Sequence, residues 1–249
     1  MQLRVGTSGF AYKEWKGSFY PEKLKAEEML RFYAERLPAV EINNTFYRMP
    51  KKTVLESWAD QVPEHFRFAV KASRRITHFK RLKDVEEEAR FLLGNLQALG
   101  EKLGVVLFQL PPNLKADLPR LERFLDLLDG GPRAVLEFRH PSWHEPEVIE
   151  CLRARGAALC LADSDEDPVE DIVATAPVGY LRLRRTSYAP GTLGAWLQRL
   201  RAADWEEAYV FFKHEDAGAG PRLAGELLAL AERAATPVRR AGDRAREAG

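Results

Sequence analysis

Charged and amide side chains stand at, or just past, the carboxyl ends of short apolar runs along this chain. They are Glu41 and Asn43, Lys71, Gln109, Glu137 with Arg139 and His140, Asp163, Arg182 with Arg184, and Lys213. Two glutamates near a lysine are the parts of an acid–base pair, because like charges raise one carboxyl pKa while an ammonium lowers the other. Glu41, Glu137 and Lys71 are therefore the candidate catalytic groups. Lys71 sits among the small residues Ala69, Ala72 and Ser73, surroundings that could depress its pKa and make the amine nucleophilic toward a carbonyl. Simple pairing with Glu41 or Glu137 is the plainer reading of the same lysine.

The cations Lys71, Arg139, Arg182, Arg184 and Lys213 outnumber the carboxylates Glu41, Glu137 and Asp163, which favours an anionic ligand. Arginine offers phosphate or carboxylate a planar fork and lysine a compact charge. Asn43, Gln109, Arg139, His140, Asp163, Arg182 and Lys213 are accordingly the candidate substrate-binding residues for a small phosphorylated or carboxylated molecule. Glu41, Glu137, His140 and Asp163 could also supply metal donors, but none has a diagnostic spacing. No metal and no cofactor is expected, and metal-assisted hydrolysis or isomerisation is the alternative within enzymes. The aromatic run Phe10, Tyr12, Trp15, Phe19 and Tyr20 could stack on a flat ligand, close over the site, or simply pack. With the arginines it permits a second alternative, a nucleotide or single-stranded nucleic-acid binding module.

Such side chains need a scaffold that collects strand ends. Short β-rich runs at 3–8, 39–43, 67–73, 104–110, 134–139, 157–163, 179–184 and 208–213 alternate with helical stripes such as Val85, Ala89, Leu92, Leu96 and Leu99, the pattern of a parallel sheet with crossover helices. The first turn, Gly6-Thr-Ser-Gly-Phe-Ala-Tyr12, lacks a dinucleotide or phosphate-loop glycine pattern. A single TIM-type (β/α)8 barrel of eight strand–helix units is favoured over an open doubly wound sheet. Strand alternation sets Glu41, Lys71, Gln109, Glu137, Arg139, Arg182 and Arg184 opposite their apolar neighbours and toward the interior. There they either form a mutually paired network or, being late in their strands, line the end of the barrel that carries chemistry.

The chain has 249 residues, 45% hydrophobic and 30% charged, with a formal net charge of +1. That balance provides a core but no global field for nucleic acid or lipid, so basic recognition must be local. The start runs straight into a strand pattern, with no leader or membrane span, and a cytoplasmic location is expected. Cys151 and Cys160 have neither metal nor redox spacing and read as packing residues. The barrel is expected over 1–236, and 237–249 reads as a charged, frayed tail. Oligomeric state is not legible.

Gly6-Thr-Ser-Gly-Phe-Ala-Tyr12, Val40-Glu-Ile-Asn-Asn-Thr-Phe-Tyr-Arg48, Phe108-Gln-Leu-Pro-Pro112 and Glu137-Phe-Arg-His-Pro-Ser-Trp143 together resemble the YecE-like family of domains of unknown function. The resemblance continues in order through Ala69-Val-Lys-Ala72, Thr77-His78 and Val210-Phe-Phe212. It implies a TIM-type barrel and imports no reaction. The chain departs from the family pattern with Phe10 where members often have Trp, with Arg184-Arg185 where they often have His-Gly after the arginine, and with Lys213-His-Glu-Asp216 for an Asn-rich stretch. These changes imply a more basic mouth than is usual.

Overall fold

A computed structural model describes residues 1–189, 191–214 and 218–235. Eight parallel strands close into a barrel in sequence order: β1 (Gln2–Ser8), β2 (Ala39–Ile42), β3 (Arg67–Lys71), β4 (Leu103–Gln109), β5 (Ala134–Glu137), β6 (Ala158–Asp163), β7 (Val178–Leu183) and β8 (Glu207–Phe212). The β1–β8 register, Gln2↔Glu207 through Thr7↔Phe212, closes the ring and leaves no free sheet edge. Expected and observed strands agree in number and nearly in extent. β5 and β7 stop before Arg139 and Arg184, which belong to the loops above.

The helices of the outer ring are α1 (Met29–Ala34), α2 (Lys52–Gln61), α3 (Glu86–Leu96), α4 (Leu118–Leu127), α5 (Pro146–Ala154), α6 (Thr192–Ala202) and α7 (Ala219–Ala235). The expected repeat of eight strand–helix units is corrected at one place, because residues 164–177 between β6 and β7 form no α-helix. Its apolar residues Val169, Ile172, Val173 and Ala176 stand at helical spacing, but Pro168 and Pro177 confine the run to eight residues, and a proline disfavours helix at the residue before it. The segment covers the sheet with Val169, Ile172 and Val173. Thr175 ties it down, accepting from Leu159 N at 2.9 Å and donating to Ala157 O at 2.8 Å.

Two apolar layers result from strand alternation. Outward residues such as Val40, Val70, Phe108, Leu136 and Phe212 pack under the helices. Inward residues, among them Ala69, Leu107, Val135, Cys160, Tyr180, Tyr209 and Phe211, fill the barrel. The interior is thus a packed plug, and polar groups must sit at its poles. At the amino-terminal pole Glu207 is held by Arg4 and Arg133, each at 2.8 Å. Gly6 permits the close β1–β2 approach, since a Cβ there would lie 1.9 Å from Ala39 O. The expected tail 237–249 and the residues Glu215 and Asp216 lie outside the described residues. Among the described residues no helix is long and apolar enough to cross a membrane.

Candidate functional site

Arg182 organises the carboxyl-terminal pole. It is the third inward residue of β7 after Val178 and Tyr180, and its guanidinium reaches glutamates on two other strands. Nη2 donates to Glu41 Oε1 at 3.0 Å and Nη1 to Glu137 Oε2 at 2.7 Å. All three side chains are buried, at 4%, 0% and 1% exposure respectively. Three charges can be held there because almost every lone pair is matched. Glu41 also accepts from Ser8 Oγ at 2.6 Å, Asn43 Nδ2 at 2.8 Å and Tyr180 Oη at 2.6 Å. Glu137 accepts from Gln109 Nε2 at 2.6 Å, a neighbour in the β4–β5 register, and from Arg139 Nε at 3.2 Å.

This saturation settles the ionisation of both carboxyls. Burial alone would raise the pKa of Glu137, but Arg182, Arg139 and the Gln109 amide outweigh it and bring it to about 2. Burial of Glu41 is likewise outweighed by Arg182, Ser8, Tyr180 and Asn43, and its pKa lies below the ordinary range. The expected separation of one raised and one lowered carboxyl is therefore corrected: both are lowered, because they face an arginine rather than each other. Lys71 moves the other way. Burial and the repulsion of Arg182 lower its pKa to about 8, against the partial support of Glu137 and Glu41. Thr45 holds the lysine's backbone in place, its hydroxyl donating to Lys71 O at 2.7 Å.

Above this network lies a cup of about 210 Å³ lined by Ser8, Tyr12, Asn43, Phe46, Tyr47, Lys71, Arg139, Arg182, Arg184 and Lys213. All five cations expected at the mouth converge on it, against the two carboxylates beneath. Nζ of Lys71 lies 4.3 Å from the centre of the Phe46 ring. Among the described residues neither Lys71 nor Lys213 makes a salt bridge, and Arg184 makes only a long one to Glu137, 3.9 Å. Nε of Arg182 and Nε of Arg184 are buried without a hydrogen-bond partner. A larger hollow of about 610 Å³ lies at the opposite pole, beside the ends of α4 and α5. Its arginines are already paired, Arg155 with Asp126 and Arg133 with Glu207, each at 2.8 Å.

Three expected ligand-binding residues do not line the cup: Gln109 is buried beneath it on Glu137, and Asp163 and His140 stand elsewhere. Asp163 follows the inward residues Ala158 and Cys160 at odd spacing, so it points outward, away from the cup. There it accepts from Arg185 Nη2 at 2.7 Å, Val169 N at 3.0 Å and Tyr188 Oη at 3.1 Å. His140 caps the turn Pro141–Trp143, with Nδ1 accepting from Ser142 N at 3.2 Å. The expected metal donors Glu41, Glu137, His140 and Asp163 do not converge, and the described residues contain no group of three or more His, Cys, Asp or Glu that could hold a metal. Most of the aromatic run packs as core: Trp15 and Tyr20 are buried and stacked on one another at 6.0 Å. Only Tyr12 of that run reaches the cup. Ser8, Tyr180, Phe46 and Tyr47 were not singled out from sequence. Parity with Gly6 and Arg182 marks Ser8 and Tyr180 as inward, while the aromatic pair lies in a short helical turn whose direction no strand period reveals.

Comparison with known proteins agrees with this architecture. The curated protein YecE (UPF0759) of Escherichia coli strain K12 is 31% identical over 229 residues, 80% of this chain and 84% of that protein. A DUF72 family protein of Thermotoga maritima MSB8 superposes with a TM-score of 0.82 at 26% identity, covering 93% of this chain and 100% of that one. D-psicose 3-epimerase of Clostridium cellulolyticum H10 shares the fold alone, with a TM-score of 0.57 at 10% identity over 92% of this chain and 98% of that one. The family described as protein of unknown function DUF72 matches residues 4–247, and the chain belongs to it.

Proposed function

We propose that the carboxyl-terminal cup binds a small anionic metabolite, phosphorylated or carboxylated, and converts it by acid–base chemistry in which Lys71 exchanges the proton. The observation that carries this reading is the cation excess in the cup: Lys71 and Lys213 are without salt bridges among the described residues, and Arg184 is nearly so. Glu41 and Glu137 are buried and already accept four and three hydrogen bonds, so in this reading they position Arg182 and hold the cup open for charge. The arginine forks bind the anion, Asn43 orients it, and a cup of about 210 Å³ suits a tetrahedral anion with a few carbon atoms. Burial and Arg182 bring the pKa of Lys71 down to about 8, toward the neutral range that favours proton transfer.

Thermal unfolding with inorganic phosphate, a sugar phosphate or a short dicarboxylate tests the reading. Binding to the folded state alone stabilises by about 2.7 kcal/mol at a hundredfold excess over Kd, so Tm rises, and Arg184→Ala with Lys213→Ala removes most of the rise. No shift at millimolar anion overturns the proposal.

A second reading, a nucleotide in place of a sugar phosphate, is favoured by one feature. Tyr47, at the cup, and Phe79 are 68% and 66% exposed, with the Arg74 guanidinium 5.3 Å and 5.1 Å from their ring centres. Nucleotides then shift Tm more than phosphate, and Tyr47→Ala erases the difference. Short single-stranded oligonucleotides bind weakly and lose affinity with salt.

A further inference from the structure

We infer that Lys71 forms a covalent imine with short carbonyl compounds that carry a carboxylate or phosphate, making 2-oxo acids and phosphorylated aldehydes or ketones the ligand class of the cup. This rests on the anion-binding reading and adds a bond to it. The first support is geometric. Lys71 ends β3 at the wall of a small cup, its amine has no carboxylate within salt-bridge distance among the described residues, and the nearest acids, Glu41 and Glu137, are occupied by Arg182 and by amide and hydroxyl donors. An amine that is to attack carbon needs a free lone pair, and a lysine locked in an ion pair has none.

The second support is the charge around it. Lys71 is faced by Glu41 from β2, by Glu137 from β5 and Arg139 from the loop after it, by Arg182 from β7 and Arg184 from the loop after it, by Lys213 after β8 and by His78 from the turn after β3. Burial, and arginines that outnumber the acids, disfavour the ammonium, so a larger fraction of the amine is neutral near pH 8 than in a solvent-exposed lysine. The same arginines draw in the anionic end of the ligand and hold its carbonyl against the amine, raising the effective concentration of the pair. The cup's size excludes large carbonyl compounds.

In the reaction the Nζ lone pair adds to the carbonyl carbon, a C–N bond forms, the carbonyl π pair moves to oxygen, and a proton passes from the nitrogen to that oxygen to give the neutral carbinolamine. The carbinolamine then loses its oxygen as water, with one further proton drawn from solvent, leaving an iminium on Lys71. No oxidant or reductant takes part. The iminium is an electron sink that acidifies the neighbouring carbon, which suits proton shuffling or carbon–carbon bond cleavage next to the original carbonyl.

The test is borohydride trapping with glyoxylate, pyruvate and glyceraldehyde 3-phosphate, read by intact mass and by mapping the labelled peptide. The expected result is one reduced adduct per chain on Lys71, formed at least tenfold faster than on an exposed lysine such as Lys13, slowed by inorganic phosphate and rising with pH through about 8. Lys71→Arg, which keeps the charge, abolishes the adduct while the variant still unfolds in a cooperative thermal melt. Labelling of Lys71 no faster than of Lys13 overturns the imine while a phosphate shift leaves anion binding standing. Absence of both the adduct and the shift overturns both.

Discussion

Replacing Glu137 by Gln keeps the shape of the side chain and deletes its charge from the centre of the buried network. Arg182 then retains Glu41 at 3.0 Å but loses its shorter contact, 2.7 Å to Glu137. Two arguments give the size of the loss. Breaking one partner out of a buried pair costs about 3–5 kcal/mol. A carboxyl whose pKa falls from 4.5 to about 2 on folding contributes roughly 3 kcal/mol at neutral pH. Glu137 is a depressed carboxylate, so this stability is complete above the unfolded pKa and disappears as pH falls from about 4.5 toward 2. At pH 3 about 1–1.5 kcal/mol of it remains. Urea melts of the wild type and E137Q at pH 7, 5 and 3 therefore show a gap of roughly 3 kcal/mol at neutrality that narrows by more than half at the acid end. A midpoint unchanged at pH 7, or a gap that does not depend on pH, refutes the claim that an ionised Glu137 anchors Arg182.

Lys71 carries the opposite sign: its pKa is depressed on folding from 10.5 to about 8, so the charged form destabilises the fold below pH 8. Lys71→Met is expected to raise the unfolding free energy from urea melts at pH 7 by about 1–3 kcal/mol after discounting for solvent screening, and the gain vanishes by pH 11. Asp163→Asn weakens the outward cluster with Arg185, Tyr188 and the Val169 amide, lowering stability by about 1–3 kcal/mol while leaving the phosphate-induced rise in Tm unchanged; loss of that rise would place Asp163 in the binding machinery. Gly6→Ala drives a methyl into Ala39 O and is expected to destabilise by more than about 2 kcal/mol, or to prevent soluble expression, and a wild-type melt would contradict the close β1–β2 approach.

The sequence by itself determined the strands and which of their residues face inward, because both follow from local period. In β2, β4, β5 and β7 the alternation places Glu41, Gln109, Glu137 and Arg182 on the face opposite Val40, Phe108, Leu136 and Leu181, and closure of the barrel leaves that assignment intact. Period fails at strand ends and loops. Asp163 could be read as a tip residue of the mouth, yet its odd spacing from Cys160 turns it toward Arg185. The helical repeat fails between β6 and β7, where Val169, Ile172 and Val173 keep helical spacing but Pro168 and Pro177 leave too short a run between them for a helix. Only the tertiary structure decided which charges meet. Arg182 reaches Glu41, 141 residues away, and Glu137, 45 residues away, because closing and staggering eight strands brings inward side chains of β2, β5 and β7 to one level of the barrel. The same closure spends both glutamates on Arg182 and leaves Lys71 without a salt bridge among the described residues. That division of labour depends on distances across the barrel, which no local pattern in the chain encodes.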